Sequence, residues 1–271
     1  MARKRLHFVR SLARGLAVLQ AFSAERPLMT LTELARATGM NLPATQRFTD
    51  TLVQLGYLKR DEHKRYYLGP KVVSLGLSFL GGSQLRKLAA RQLHDFGRRH
   101  DKTVNLAVLD GHHIIFLYRH ESQRFLKFDL QPGSKLPAHC TAQGKVLLAA
   151  LPDTELRRRL GEMPLERFTS HTLTTPQALW DELMHTRRRG YAVADRELSL
   201  DLYSLGAPLL DARGRVIAAI NLSLRAEETT PGHREQMTRA FLELGAEVSA
   251  SLGYQGDYPR IPVAEAEEGL P

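Results

Sequence analysis

The sequence predicts an α+β protein of two units: three helices closed by a β-hairpin, then an antiparallel sheet flanked by helices. Three observations predict it. Residues 30–67 read as helix, turn, helix and hairpin. Residues 104–224 mix short alternating apolar runs with helical patterns, which an antiparallel sheet covered by helices accommodates. A length of 271 residues gives room for two domains.

Ser11 is placed to cap a first helix over 12–22, whose buried side draws on Leu12, Leu16, Leu19, Ala13, Ala17 and Val18. A loop with Pro27 follows. Thr30 and Glu33 form a capping-box pair that starts a second helix, and Gly39 suits its left-handed end. Asn41 can cap the third, with Pro43 in its first turn. Phe48, Leu52 and Leu55 mark its inward face; Gln46, Arg47 and Asp50 fall outside. Strands near Leu58 and Tyr66 enclose the charged turn 61–64. This is the pattern of a winged helix-turn-helix, in which the third helix enters the major groove and the hairpin lies along the backbone. A plain helical pair with a hairpin is the blander reading.

Charge favours the first. Residues 1–80 hold 13 Lys/Arg against 5 Asp/Glu, whereas residues 81–271 hold 25 against 24. A basic module joined to a neutral one is the footprint of a double-stranded DNA binder. Gln46 and Arg47 have the reach and geometry to read adenine and guanine edges. Thr45, Thr49, Arg60, Lys64 and Arg65 are the phosphate candidates, with Lys59 and His63 beside them. An ion pair with Asp50 is the alternative for Arg47.

Past Gly69-Pro70, residues 71–80 are apolar nearly all round. They read as a linker helix and a subunit contact. Gly81-Gly82 breaks the chain before a helix over 84–100. Strands are expected over 104–109, 114–118 and 125–130, the first two joined at Asp110-Gly111. Helices follow over 144–151, 152–160 and 176–189, and strands near 190–193, 204–210 and 216–224. A helix over 231–252 closes the unit. The domains are therefore 1–69, a linker helix 70–82, an 83–253 effector domain and a 254–271 tail of disordered composition.

Cys140 is the single cysteine, so no intrachain disulfide forms and a cytoplasmic setting is expected. No apolar run reaches the length of a membrane span. His112-His113 and His139-Cys140 lack metal-ligand spacing, and no third group orients a thiol nucleophile. No catalytic residue, metal or cofactor is expected, and Cys140 reads as a pocket wall. Arg119 and Arg124 have the fork that neutralises a carboxylate, against surface solvation as the commoner fate. The loop over 137–144 leads into a helix, so its N–H groups, Thr141 onward, suit an anion.

Four stretches carry a family resemblance: SLARGLAVLQAF, LTELARATGMNLPATQRFTDTLVQLGYL, LPAHCTAQGKVLLAALP and GYAVADRELSLDLYSLGAPLLDARGRVIAAINLSL. Together they resemble the IclR family of bacterial transcription regulators over about residues 8–253. The first looks most like the branch controlling catabolism of aromatic acids such as protocatechuate and 4-hydroxybenzoate. The resemblance implies a winged helix, a GAF-like effector domain, and a homodimer or tetramer on a palindromic promoter site. It places Ala142, Gln143, Ser204, Asn221 and Ser223 at ligand-contacting positions. It also implies a small-molecule effector, an aromatic carboxylate. A small aliphatic acid is the alternative, and an enzyme or sensor domain recruited to DNA the rival from another class. The sequence departs from the family at Leu42-Pro43, where a basic residue and Ser often stand, and at Ala194, where a glyoxylate-responsive relative is acidic.

Overall fold

The computed structural model describes residues 8–23, 25–122, 130–227 and 230–264. It divides into two compact units, Met1–Gly82 and Ser83–Pro271.

The first unit is built on α1 (Arg10–Gln20), α2 (Leu31–Thr38) and α3 (Leu42–Gln54), followed by β1 (Leu58–Arg60), β2 (Tyr66–Leu68) and α4 (Lys71–Gly82). The α2 start is the expected capping box: Glu33 N donates to Thr30 Oγ1 and Thr30 N to Glu33 Oε2. Gly39 ends the helix at φ 65°, a conformation open to glycine. Asn41 caps α3 through Ala44 N, which donates to its Oδ1 at 2.9 Å. Val18, Phe22, Met29, Leu34, Leu52, Leu58 and Tyr66 form the core. Met29 and Tyr66 exchange backbone hydrogen bonds, tying the wing to the entry of α2.

Several expectations fail here. Val9, not Ser11, stands at the α1 N-cap, without a side-chain cap. Leu12, Leu16 and Leu55 are exposed rather than buried. Within α1 Val18 is the residue that is fully buried, and Phe22, just past the helix end, joins it in the core. Gly81 and Gly82 do not break the chain, because α4 runs through both and Ser83 caps the next helix.

The second unit holds α5 (Gln84–His100), β3 (Thr103–Asp110), β4 (His113–His120), β5 (Lys135–Pro137), α6 (Ala142–Ala149), α7 (Asp153–Glu162), α8 (Pro176–Arg189), β6 (Ala192–Asp195), β7 (Leu202–Leu210), β8 (Val216–Arg225) and α9 (Pro231–Ser251). Among the described residues its six strands are antiparallel in the order β5-β4-β3-β8-β7-β6. The strand expected over 125–130 falls almost wholly outside the described residues; the edge partner of β4 is β5. Pro208 is tolerated within β7 because β6 stops pairing at Gly206, leaving no ladder bond for a proline N–H to supply.

Every residue of α6 is buried. Two glycines allow this. A Cβ on Gly206 would lie 2.5 Å from the backbone of Ala142, and one on Gly144 would strike Ala138. The N-terminal turn of α6 therefore rests directly on β7. The tail is not wholly disordered: Ile261 is buried, Tyr258 donates to Pro208 O at 2.9 Å, and Ala264 N donates to Ala150 O.

Candidate functional site

In the first unit, Arg47 is exposed on α3 and has no side-chain partner among the described residues. Asp50 accepts from Gln46 Nε2 at 2.6 Å instead, so Gln46 must release it to read a base. Thr45 and Thr49 are fully buried and cannot reach a phosphate. Their hydroxyls donate back to Asn41 O and Gln46 O, as helical threonines do. They share the inward face of Leu52, which lies seven residues after Thr45 and three after Thr49. On the wing, Arg65 is engaged by Asp61 at 2.8 Å and the Arg60 guanidinium lies 5.4 Å from the Tyr66 ring centre. Lys64 sits at the exposed turn with φ 62°.

In the second unit, a pocket of about 20 Å³ opens between the α6 N-terminus and one face of the sheet. Its clear centre is narrow, about the size of a water. Cys140, Thr141, Gln143, Arg119, Ser204, Asn221 and Ser223 all line it, with Asn105 among them. Ala142 does not, but its backbone carries the close approach to Gly206. Apolar walls come from Phe116, Leu136, Ala194, Leu198 and Leu202. Arg124 lies outside the described residues.

The polar residues form one connected row, because register aligns Arg119, Asn105 and Asn221 across β4, β3 and β8. Arg119 Nη1 donates to Asn105 Oδ1 at 3.0 Å, and Asn105 Nδ2 donates to Asn221 Oδ1 at 2.6 Å. Asn221 Nδ2 donates to Ser204 Oγ at 2.8 Å and Ser223 Oγ at 3.2 Å. Two buried donors on the lining stay without an acceptor among the described residues: Arg119 Nε and Gln143 Nε2. A pocket with spare donors is chemically matched to an acceptor-rich ligand, and a carboxylate accepts with both oxygens. Burial pushes the Cys140 thiol up to about 12, so it stays protonated and non-nucleophilic at neutral pH. His139 Nε2 lies 3.0 Å from Glu166 O, and burial lowers its pKa. Among the described residues no three His, Cys, Asp or Glu gather as a metal site.

Residues 11–62 match the IclR helix-turn-helix domain and residues 78–250 match the bacterial transcriptional regulator IclR C-terminal domain. The chain belongs to the IclR family. Its members are transcription regulators, so this IclR-family chain is a DNA-binding regulator and not an enzyme. The Pca regulon regulatory protein of Pseudomonas putida is 36% identical over 249 residues, covering 92% of this chain and 84% of that protein. The p-hydroxybenzoate hydroxylase transcriptional activator of Acinetobacter baylyi is 31% identical, covering 83% of this chain and 84% of that one. An IclR homolog from Microbacterium hydrocarbonoxydans, solved in complex with 4-hydroxybenzoate, superposes with a TM-score of 0.73 at 26% identity, covering 90% of this chain and 98% of that one.

Two features of this IclR-family chain escape sequence reading. Asn105 links Arg119 to Asn221; its signal was a lone Asn inside an apolar strand. Lys145, in the first half of α6, is 1% exposed and paired with Glu197, with Glu182 at 3.8 Å and Val193 O at 3.2 Å. Burial raises the Glu197 pKa while Lys145 opposes the rise. This pair joins α6 to the segment after β6; Ala194 of β6 and Leu198 of that segment are pocket walls.

Proposed function

We propose that this regulator answers to a hydroxylated aromatic carboxylate bound in the pocket beneath α6, and that it binds a two-fold operator as a homodimer or tetramer. The observation that carries the ligand class is the pair of orphan donors, Arg119 Nε and Gln143 Nε2, on a lining that is otherwise apolar or already bonded. They call for a carboxylate. The positive end of α6 adds to their pull. Ser204, Asn221 and Ser223 suit the ring hydroxyl. The 4-hydroxybenzoate in the Microbacterium hydrocarbonoxydans homolog, and the names of the Pseudomonas and Acinetobacter relatives, support the same class. On the DNA side, Arg47 with Gln46 reads bases, and Lys64 and Arg60 meet phosphates.

The narrow centre favours a second reading, a small aliphatic acid. Calorimetry with 4-hydroxybenzoate, protocatechuate, benzoate and glyoxylate separates the two. A hydrogen bond from the ring hydroxyl to this row is worth about 0.5–1.5 kcal/mol, so benzoate should bind several-fold to about tenfold more weakly than its hydroxylated relatives. Equal binding of benzoate removes the polar row from the argument. Tight glyoxylate and no aryl acid hands the site to the second reading.

A further inference from the structure

Arg119 is only partly used. Its side chain is 5% exposed, and its guanidinium has two recognition edges. Nη1 is committed to Asn105 within the sheet. Nε and Nη2 form the side-on edge, on which a carboxylate normally sits with both oxygens. In this structure Nη2 donates to Glu121 Oε1 at 2.7 Å, while Nε, buried, has no acceptor among the described residues. Glu121 thus fills half of an edge built for a whole carboxylate.

The reason is covalent. Glu121 follows directly on β4, two residues after Arg119 in the same chain. The next residue is fixed too: Ser122 N donates to Thr103 Oγ1 at 3.2 Å and Ser122 Oγ bonds Asp101. Glu121 therefore reaches the guanidinium from the solvent side, and its own side chain is 35% exposed. It can leave to water at small cost, since ion pairs with an exposed member are worth little.

We propose that Glu121 is an internal competitor for the effector's carboxylate, and so sets the concentration at which the regulator responds. This rests on the aryl-acid reading above. An entering carboxylate takes Nε and Nη2 together and evicts Glu121, exchanging a one-point, half-exposed pair for a two-point, buried one.

Calorimetry on the full chain tests this with 4-hydroxybenzoate and its neutral isostere 4-hydroxybenzamide. Glu121→Gln should tighten the acid roughly two- to fivefold, the worth of a partly exposed ion pair, and leave the amide unchanged. Glu121→Asp keeps the charge but shortens the reach. It should tighten the acid similarly if contact is what competes, and not if a distant charge merely repels. In an Arg119→Gln background, Glu121→Gln should do nothing. An unchanged or weaker acid in Glu121→Gln, or equal tightening of the amide, overturns the competitor role. If wild type binds the acid and a Ser204→Ala, Asn221→Ala variant does not, the pocket reading survives that failure. If wild type binds no aryl acid, both fall.

Discussion

In the proposed DNA reading, Arg47 and Lys64 divide the work by chemistry. A guanidinium on an exposed helix face presents a fork that one base edge fits, whereas an ammonium at a wing turn meets any phosphate. Arg47→Ala should cost about 1–3 kcal/mol at the operator and flatten base preference at one position. Lys64→Ala should weaken all sequences alike and reduce the salt slope by about one. Binding isotherms at several salt concentrations separate these; wild-type base preference in Arg47→Ala excludes it as the reader. The outer-face position on α3 suggested Arg47 and the charged wing turn suggested Lys64, whereas residue type suggested the threonines. It misled at Thr45 and Thr49, because a hydroxyl near a recognition helix reads as a phosphate ligand until the helical period is followed through to Leu52. Asn105 was hidden for the opposite reason: within an apolar strand a single amide looks incidental, and only the register of β3 against β4 and β8 shows it bridging Arg119 to Asn221.

At the scale of elements, α6 governs the pocket. It is short, wholly buried and seated on β7 through the absence of a side chain at Gly206. Gly206→Ala forces the two backbones apart and should destabilise the unit by about 1–3 kcal/mol, as overpacking does. Because Asn221 pairs with Gly206 across β7 and β8, the same change should weaken effector binding more than benign core substitutions of equal stability cost. Denaturant melts alongside calorimetry check this; full stability and full affinity would show that α6 does not depend on close approach. Most elements were legible because caps, turns and periodicity are local: α2, α5 and α8 begin and end where their caps dictate. The edge strand β5 was not, since three residues carry too little pattern. The seating of 254–264 was missed because Pro-rich composition suggests disorder, while Tyr258 and Ile261 find places on the folded unit.

For the whole molecule, the charge asymmetry read from the sequence leaves a basic first unit and a nearly neutral second one. The first unit also exposes apolar side chains that a lone chain has no reason to keep: Phe8, Val9, Leu12 and Leu16 on or before α1, and Val73, Leu75, Leu77 and Phe79 on α4. A second copy would cover them, and operator symmetry mirrors protein symmetry. Light scattering without DNA should therefore return at least a dimer, and a monomer at micromolar concentration would refute the assembly. Effector in the pocket is proposed to change affinity for the operator. Fluorescence anisotropy on the promoter fragment flanking its own gene, titrated with 4-hydroxybenzoate, measures it directly. The acid should shift the wild-type DNA affinity severalfold and leave Ser204→Ala, Asn221→Ala unmoved; no shift in wild type, or an equal shift in the variant, would contradict effector control through this pocket.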